Sequence, residues 1–82
     1  MNALEIKFLI DDLVKILNNY KVDSEIVPEQ HLRDFFMTLF FFKFPNFSLM
    51  FKGYCVCKGH EQHHLTVRDL KEFIKEVILK WI

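Results

Sequence analysis

Apolar residues recur every three or four positions along the first twenty residues of the chain. Charged residues such as Asp11, Asp12 and Lys15 fill the positions between them. This spacing predicts an amphipathic helix over about residues 3–20, because a helix gathers such positions on one face. The apolar positions expected on that face are Leu4, Phe8, Ile10, Leu13, Val14, Leu17 and Tyr20.

A second helix is predicted from Pro28 to about Lys43. Proline suits the first turn of a helix because the N–H group that it lacks would have no partner there. Glu29 would then lie near the positive end of the helix dipole, which is favourable for a carboxylate. The positions expected to face the core are Leu32, Phe35, Phe36, Leu39, Phe40 and the aliphatic stem of Lys43.

The same spacing returns near the end of the sequence and predicts another helix. The Thr66 side chain can accept a hydrogen bond from a main-chain N–H group at the start of this helix. The Asp69 side chain, three residues further on, can accept one from the Thr66 main-chain N–H group, and the pair is close to a capping box. The positions expected to face the core are Val67, Leu70, Phe73, Ile74, Val77, Ile78 and Trp81.

Two interpretations are open for the middle of the chain. Pro45 ends the second helix, and residues 46–57 can form either a short β-hairpin around Lys52 and Gly53 or a short helix followed by a loop. The polar residues from Lys58 to His64 are predicted to form a turn. The expected fold class is therefore mostly α, a small bundle of three to four helices in a single domain over residues 1–82.

Phenylalanine is concentrated in one part of the sequence. Eight of the ten Phe residues lie between Phe35 and Phe51, so this block belongs to the core, to a membrane or to an interface. A membrane-spanning helix needs about 20 apolar residues, whereas this apolar run ends at residue 42, so no membrane contact is expected. Three helices of this size cannot bury every ring, and we expect a Phe-rich surface that binds another protein or a second copy of the chain. The residues predicted for this surface are Met37, Phe41, Phe42, Met50 and Phe51.

The length and the charge of the chain argue against several classes of function. A domain of 82 residues has little room for an enclosed substrate cavity beside its core, so no enzyme is expected. Eleven basic residues balance eleven acidic ones, which leaves no basic field that would attract nucleic acid. Glu5 and Asp11 interrupt the apolar stretch that a signal peptide would need, and a cytoplasmic location is expected.

Groups that could bind a metal are concentrated between residues 55 and 64. Thiolate and imidazole are the ligands that zinc prefers, and no other cofactor is expected. If the segment is a strand, Cys55 and Cys57 share one of its faces, because successive side chains in a strand alternate. A zinc-stabilised regulatory protein is therefore the alternative function, and the other interpretation is half-buried cysteines followed by a solvated histidine loop. The predicted metal ligands are Cys55, Cys57, His60 and His63.

The order of these segments resembles the acyl carrier protein superfamily. The resemblance lies in the entry Ile26-Val27-Pro28-Glu29 to the second helix, the ending Lys43-Phe44, and the opening Leu65-Thr66-Val67-Arg68-Asp69-Leu70 of the last helix. The stretch Phe51-Lys52-Gly53-Tyr54 is similar to an aromatic-rich segment of atypical carrier-like proteins of bacteria. The resemblance implies a four-helix carrier-like fold for nearly the whole chain.

Carrier proteins of this superfamily hold a phosphopantetheine arm on the serine of an Asp-Ser-Leu motif at the start of the second helix. The corresponding region of this chain is Glu29-Gln30-His31-Leu32, which contains no serine. The resemblance therefore implies a carrier-like scaffold from which the arm is absent. On this basis the expected function is a non-enzymatic protein-interaction module.

Overall fold

The structure, a computed structural model, describes residues 2–62 and 64–81, and it describes residues 60–62 and 81 by their backbone alone. The four α-helices of this part of the chain are α1 (Ala3–Leu17), α2 (Glu29–Phe41), α3 (Pro45–Gln62) and α4 (Val67–Phe73). A π-helical segment, Ile74–Ile78, and a 3-10 turn, Leu79–Trp81, follow α4 directly. The prediction of a mostly helical bundle is confirmed.

The middle of the chain is a single long helix. Residues 46–57 lie inside α3, so the hairpin prediction is wrong, and the helix also occupies most of the segment that was expected to be a turn. Phe47, Phe51 and Tyr54 follow one another at four and three residues and pack on the core side of α3. Burying each large apolar side chain contributes roughly 1.5–3 kcal/mol, which outweighs the roughly 0.5–1 kcal/mol that each glycine, Gly53 or Gly59, costs within a helix.

The centre of the core is a group of aromatic rings from three helices, which we call the interior aromatic cluster. It consists of Phe35 from α2, Phe51 and Tyr54 from α3, and Phe73 from α4. The ring centroids of Phe35 and Phe51 are 4.8 Å apart, and those of Phe51 and Phe73 are 5.1 Å apart. Tyr54 lies 5.5 Å from Phe73 and donates its hydroxyl hydrogen to the main-chain carbonyl of Asp69 at 2.9 Å. These contacts hold α2, α3 and α4 together.

The buried face of α1 agrees with the predicted one at Leu13 and Leu17 and differs from it elsewhere. Its core residues are Ile6, Leu9, Leu13 and Leu17. Leu4, Phe8 and Val14, which were expected to face the core, are exposed. Two sets of apolar residues on α1 satisfy the helical spacing, and the contacts with α2 select only one of them. The helix also ends at Leu17, three residues before the predicted end.

The connection between α1 and α2 is tied to the beginning of α4. The Val27 amide donates to the Leu65 carbonyl at 2.8 Å, and Ile26 and Thr66 form an isolated antiparallel bridge. The capping box predicted for α4 is confirmed, because the Thr66 amide donates to the Asp69 carboxylate at 2.9 Å and the Asp69 amide donates to the Thr66 hydroxyl at 3.3 Å. These bonds fix where α4 begins.

A tight turn reverses the chain between α2 and α3. The Lys43 amide donates to the Phe40 carbonyl at 2.9 Å, and the Phe44 amide donates to the Leu39 carbonyl at 3.4 Å. This is the hydrogen-bond arrangement of a Schellman motif, in which the residue after the helix cap adopts a left-handed conformation. Lys43 adopts it with a φ of 58°. The turn directs Phe44 into the core and lays α3 against α2.

Candidate functional site

One face of α2 exposes three large apolar side chains, which we call the α2 surface. It consists of Met37, Phe40 and Phe41, whose side chains are 55 %, 60 % and 78 % exposed. Phe40 and Phe41 come three and four residues after Met37, so both are neighbours of Met37 on the helix surface. The buried residues of the same helix, Phe35 and Leu39, lie on its other side. Helix α2 is therefore apolar both towards the core and towards the outside.

The surface predicted from the sequence overlaps this one in part. Met37 and Phe41 are exposed as predicted, and Met50 is exposed on α3. Phe42 is half-buried and packs against the core, with its ring edge-to-face against Phe41. The prediction for Phe51 is wrong, because its side chain is only 1 % exposed and belongs to the interior aromatic cluster.

Phe40 is the residue of the α2 surface that sequence reasoning missed. It was assigned to the core because it follows Phe36 at four residues. Phe35 and Leu39, which have the same separation and were also predicted to face the core, are buried as predicted, whereas Phe40 is exposed. Both rows of α2 are apolar, so the sequence alone carries no signal that distinguishes them.

A groove between α2 and α3 runs along one side of the α2 surface. Its volume is about 530 Å³. Its apolar lining comprises Leu32, Phe36, Met37, Phe51, Cys55 and Val56, and its charged residues are Glu29, Arg33 and Lys52. The Arg33 guanidinium pairs with the Glu29 carboxylate at 2.8 Å, and the Lys52 ammonium lies 4.9 Å from the centre of the Phe36 ring. The Arg33–Glu29 pair is neutral overall, so Lys52 leaves this side with one net positive charge.

A second groove, between α1 and α2, runs along the opposite side of the α2 surface. Its volume is about 380 Å³. It is lined by Ile16, Met37, Thr38, Phe41 and Phe42, together with the carboxylates of Asp12 and Asp34. Among the side chains that the structure describes, no basic one lines this groove, although the Lys15 ammonium lies 3.8 Å from the Asp12 carboxylate at its edge. The lining of this side is therefore negative. Met37 lines both grooves and therefore forms the ridge between a positive and a negative side.

The arrangement of the cysteines differs from the one on which the zinc prediction relied. Cys55 and Cys57 lie on α3 rather than on a strand, and residues two apart on a helix point about 200° apart. Cys55 is half-buried, and burial raises the pKa of its thiol to about 11, which disfavours the thiolate that zinc or catalysis would need.

The structure describes only part of the histidine segment of the predicted zinc site. His63 lies outside the described residues, as does the side chain of His60. Within the described part of the chain, no three or more His, Cys, Asp or Glu residues come together in a way that could hold a metal ion. Zinc binding by this segment stays a prediction from the sequence.

A tyrosine–histidine contact at the start of α2 has no counterpart in the sequence analysis. The Tyr20 hydroxyl hydrogen-bonds Nδ1 of His31, and both side chains are partly buried. Burial, with a smaller contribution from Glu25, raises the pKa of Tyr20. The neutral phenol therefore joins the end of α1 to the first turn of α2, which is a structural role. Eleven residues separate the pair, so helical spacing could not reveal it.

No family model, curated protein or solved structure matches this chain. The function of this chain is therefore inferred from the geometry of the α2 surface and its two grooves. Within the described residues, no helix combines the length and the apolar composition needed to cross a membrane.

Proposed function

We propose that this chain is a non-enzymatic protein-interaction module that binds through the α2 surface, built on an acyl-carrier-like plan without a phosphopantetheine arm. The observation that carries the proposal is the exposure of Met37, Phe40 and Phe41 side by side on one helix. Methionine and aromatic residues are enriched in protein interfaces, and contiguous exposed apolar patches mark interaction sites.

The energetics of these side chains support the same function. Full burial of one large apolar side chain contributes roughly 1.5–3 kcal/mol, and the folded chain forgoes most of that for Phe41. Helix α2 already buries Phe35 and Leu39, so the α2 surface is not needed for its attachment to the core. A partner that covers the α2 surface would recover the free energy that folding leaves unused.

The serines of the chain support a module without an arm. Ser24 and Ser48 are the two serines of the sequence, and neither lies at the start of α2, where the carrier resemblance would require one. Ser24 precedes Pro28 in the α1–α2 connection. Ser48 is 4 % exposed within α3, where a modifying enzyme could not reach its hydroxyl. Partner recognition, rather than acyl transport, is the function that these positions favour.

The test is site-specific photo-crosslinking in the cells that make the protein. Benzoylphenylalanine at position 41 replaces one exposed aromatic side chain by another, and the same residue at Lys75, which is exposed and lies outside α2, is the matched control. We expect a discrete crosslinked species from position 41 that is absent from position 75. Met37→Glu in the same chain should remove that species, because it places a charge at the centre of the surface.

Equal crosslinking from positions 41 and 75, or a species that persists in Met37→Glu, would contradict the proposal. Helicity measured by circular dichroism is the control for folding. Met37 is exposed, so its replacement should leave helicity unchanged.

A further inference from the structure

We propose that the partner of the α2 surface is a second copy of the same chain, held in a two-fold dimer in which the two α2 helices lie parallel. This inference rests on the proposed function and names its partner. The observation behind it is that the two sides of the α2 surface carry opposite charge. Asp12 and Asp34 line the side towards α1, whereas Arg33 and Lys52, with the Glu29 that pairs with Arg33, line the side towards α3 and leave it with one net positive charge.

A two-fold axis that runs parallel to α2, over Met37, places the positive side of one copy against the negative side of the other. The same rotation lays Met37 on Met37 and keeps the α2 helices parallel. In a two-fold interface every contact occurs twice. The dimer therefore has two rims, one on each side of Met37, and in each rim the positive side of one copy faces the negative side of the other. Arg33 of each copy then faces Asp34 of the other, at nearly the same height along the helices.

The alternative two-fold arrangement is disfavoured by the same charges. An axis perpendicular to α2 would make the helices antiparallel and would bring Asp34 of one copy towards Asp34 of the other. Like charges placed opposite each other in an interface are unfavourable, and charge patterns of this kind select register and orientation. The parallel arrangement is therefore the one that covers Met37 and also places opposite charges together on both sides of it.

The charge of the whole chain does not oppose this association. Eleven acidic and eleven basic residues give a formal net charge of zero at pH 7, so two copies have no net repulsion to overcome. Phe40 and Phe41 lie on opposite sides of Met37 around the helix axis, so the same rotation lays the Phe41 ring of each copy beside the Phe40 ring of the other.

The experiment is sedimentation equilibrium on the full chain and two charge-reversal variants, Arg33→Asp and Asp34→Lys. The wild-type chain is expected to dimerise. Each variant alone should dimerise at least about tenfold more weakly, because each converts both rim pairs from attraction to repulsion. An equimolar mixture of the two variants should form a heterodimer at least as tight as the wild-type dimer, because both mixed rim pairs are again of opposite sign.

The matched control is a second pair of charge reversals outside α2, Glu72→Lys and Lys75→Asp, both at exposed positions. These variants should dimerise like the wild-type chain, alone and mixed. Circular dichroism of every variant checks folding. Arg33→Asp loses the exposed pair with Glu29 and places a like charge beside that residue, and both effects on stability are small at exposed positions.

A wild-type chain that stays monomeric overturns the dimer, as does a mixture of Arg33→Asp and Asp34→Lys that associates no better than either variant alone. The outcome of photo-crosslinking then distinguishes the two proposals. A crosslink from position 41 to a different protein retains the interaction module and rejects the dimer, whereas the absence of any specific crosslink rejects both.

Discussion

The interior aromatic cluster and the α2 surface are built from the same kind of side chain, yet they have opposite surroundings. Phe35 is fully buried and contacts Phe51 and Phe73, whereas Phe41, six residues later on the same helix, is mostly exposed. The difference is one of direction around α2, because α1, α3 and α4 together leave one of its sides uncovered. That a residue is phenylalanine therefore says little about its role until the direction of its side chain is known.

The two regions should differ most in their contribution to stability. Phe73→Ala removes a ring that contacts three other rings, and it should lower the free energy of unfolding by roughly 3–5 kcal/mol. Phe41→Ala should change it by less than about 0.5 kcal/mol when the chain is dilute enough to be monomeric. Urea denaturation measures both. Equal losses for the two variants would contradict the contrast between the regions.

Tyr54 tests the polar edge of the interior aromatic cluster. Tyr54→Phe removes the hydroxyl bond to the Asp69 carbonyl and should lower the free energy of unfolding by about 1 kcal/mol. Burial is the main reason that the pKa of Tyr54 rises from 10.0 to about 12, with smaller contributions from Asp69 and Glu72.

The raised pKa also predicts a dependence on pH. The neutral hydroxyl is favoured in the folded chain, so its contribution is complete below the unfolded pKa near 10 and is lost as pH rises through the folded pKa near 12. Denaturation of the wild-type chain and Tyr54→Phe across this range should show a difference that shrinks with pH. A constant difference would mean that Tyr54 titrates as in the unfolded chain.

The turn after α2 should be improved by glycine. Lys43 has a positive φ, a conformation that disfavours side chains with a Cβ atom by roughly 1–2 kcal/mol. Lys43→Gly should raise the free energy of unfolding by about 0.5–1 kcal/mol, because the relief of strain exceeds the greater entropy that glycine adds to the unfolded chain. Thermal denaturation measures this change. Lys52→Gly, in the interior of α3, is the matched control and should destabilise the chain.

The two cysteines provide a chemical comparison of an inward and an outward position on α3. Cys57 is exposed, whereas Cys55 is half-buried with its thiol pKa raised to about 11. Iodoacetamide at pH 8 should therefore modify Cys57 at least about tenfold faster than Cys55, and mass spectrometry of the digested protein measures both rates. Similar rates would show that α3 does not keep Cys55 against α2.

Metal removal should have the smallest effect. The directions of Cys55 and Cys57 on α3 do not favour a shared zinc ion, so a chelator such as EDTA should leave the melting temperature of the chain unchanged. A structural zinc would make the melting temperature fall, because the free energy of metal binding is part of the free energy of folding. A native mass spectrum of chain purified without chelator would then show one zinc ion per chain.

The features of the structure that follow from neighbouring residues are the ones that sequence reasoning predicted. The start of α4 is an example, because Thr66 and Asp69 cap it through contacts three residues apart. The exposure of Met37 and Phe41 was also predicted, since the chain contains more large apolar residues than a small bundle can bury.

The errors occur where distant parts of the chain decide between locally equivalent choices. Gly53 and the alternating residues that follow it fit a hairpin turn as well as a helix, and the burial of Phe47 and Phe51 against other helices favours the helix. Phe40 was predicted to face the core and is exposed, whereas Phe51 was predicted to lie on the surface and is buried. Both predictions were wrong because the rotation of α2 and α3 about their own axes depends on how the helices pack.

Local patterns along the chain are enough to predict that this protein is helical, where its last helix begins, and that some of its phenylalanines lie outside the core. Hydrogen bonds and amphipathic spacing act over three or four residues, so they can be recognised in a linear pattern. Packing between distant segments, by contrast, makes residues 46–57 helical and places the α2 surface between a positive and a negative groove. Those properties depend on which faces of α1, α2 and α3 meet, and residues far apart in the sequence make those contacts.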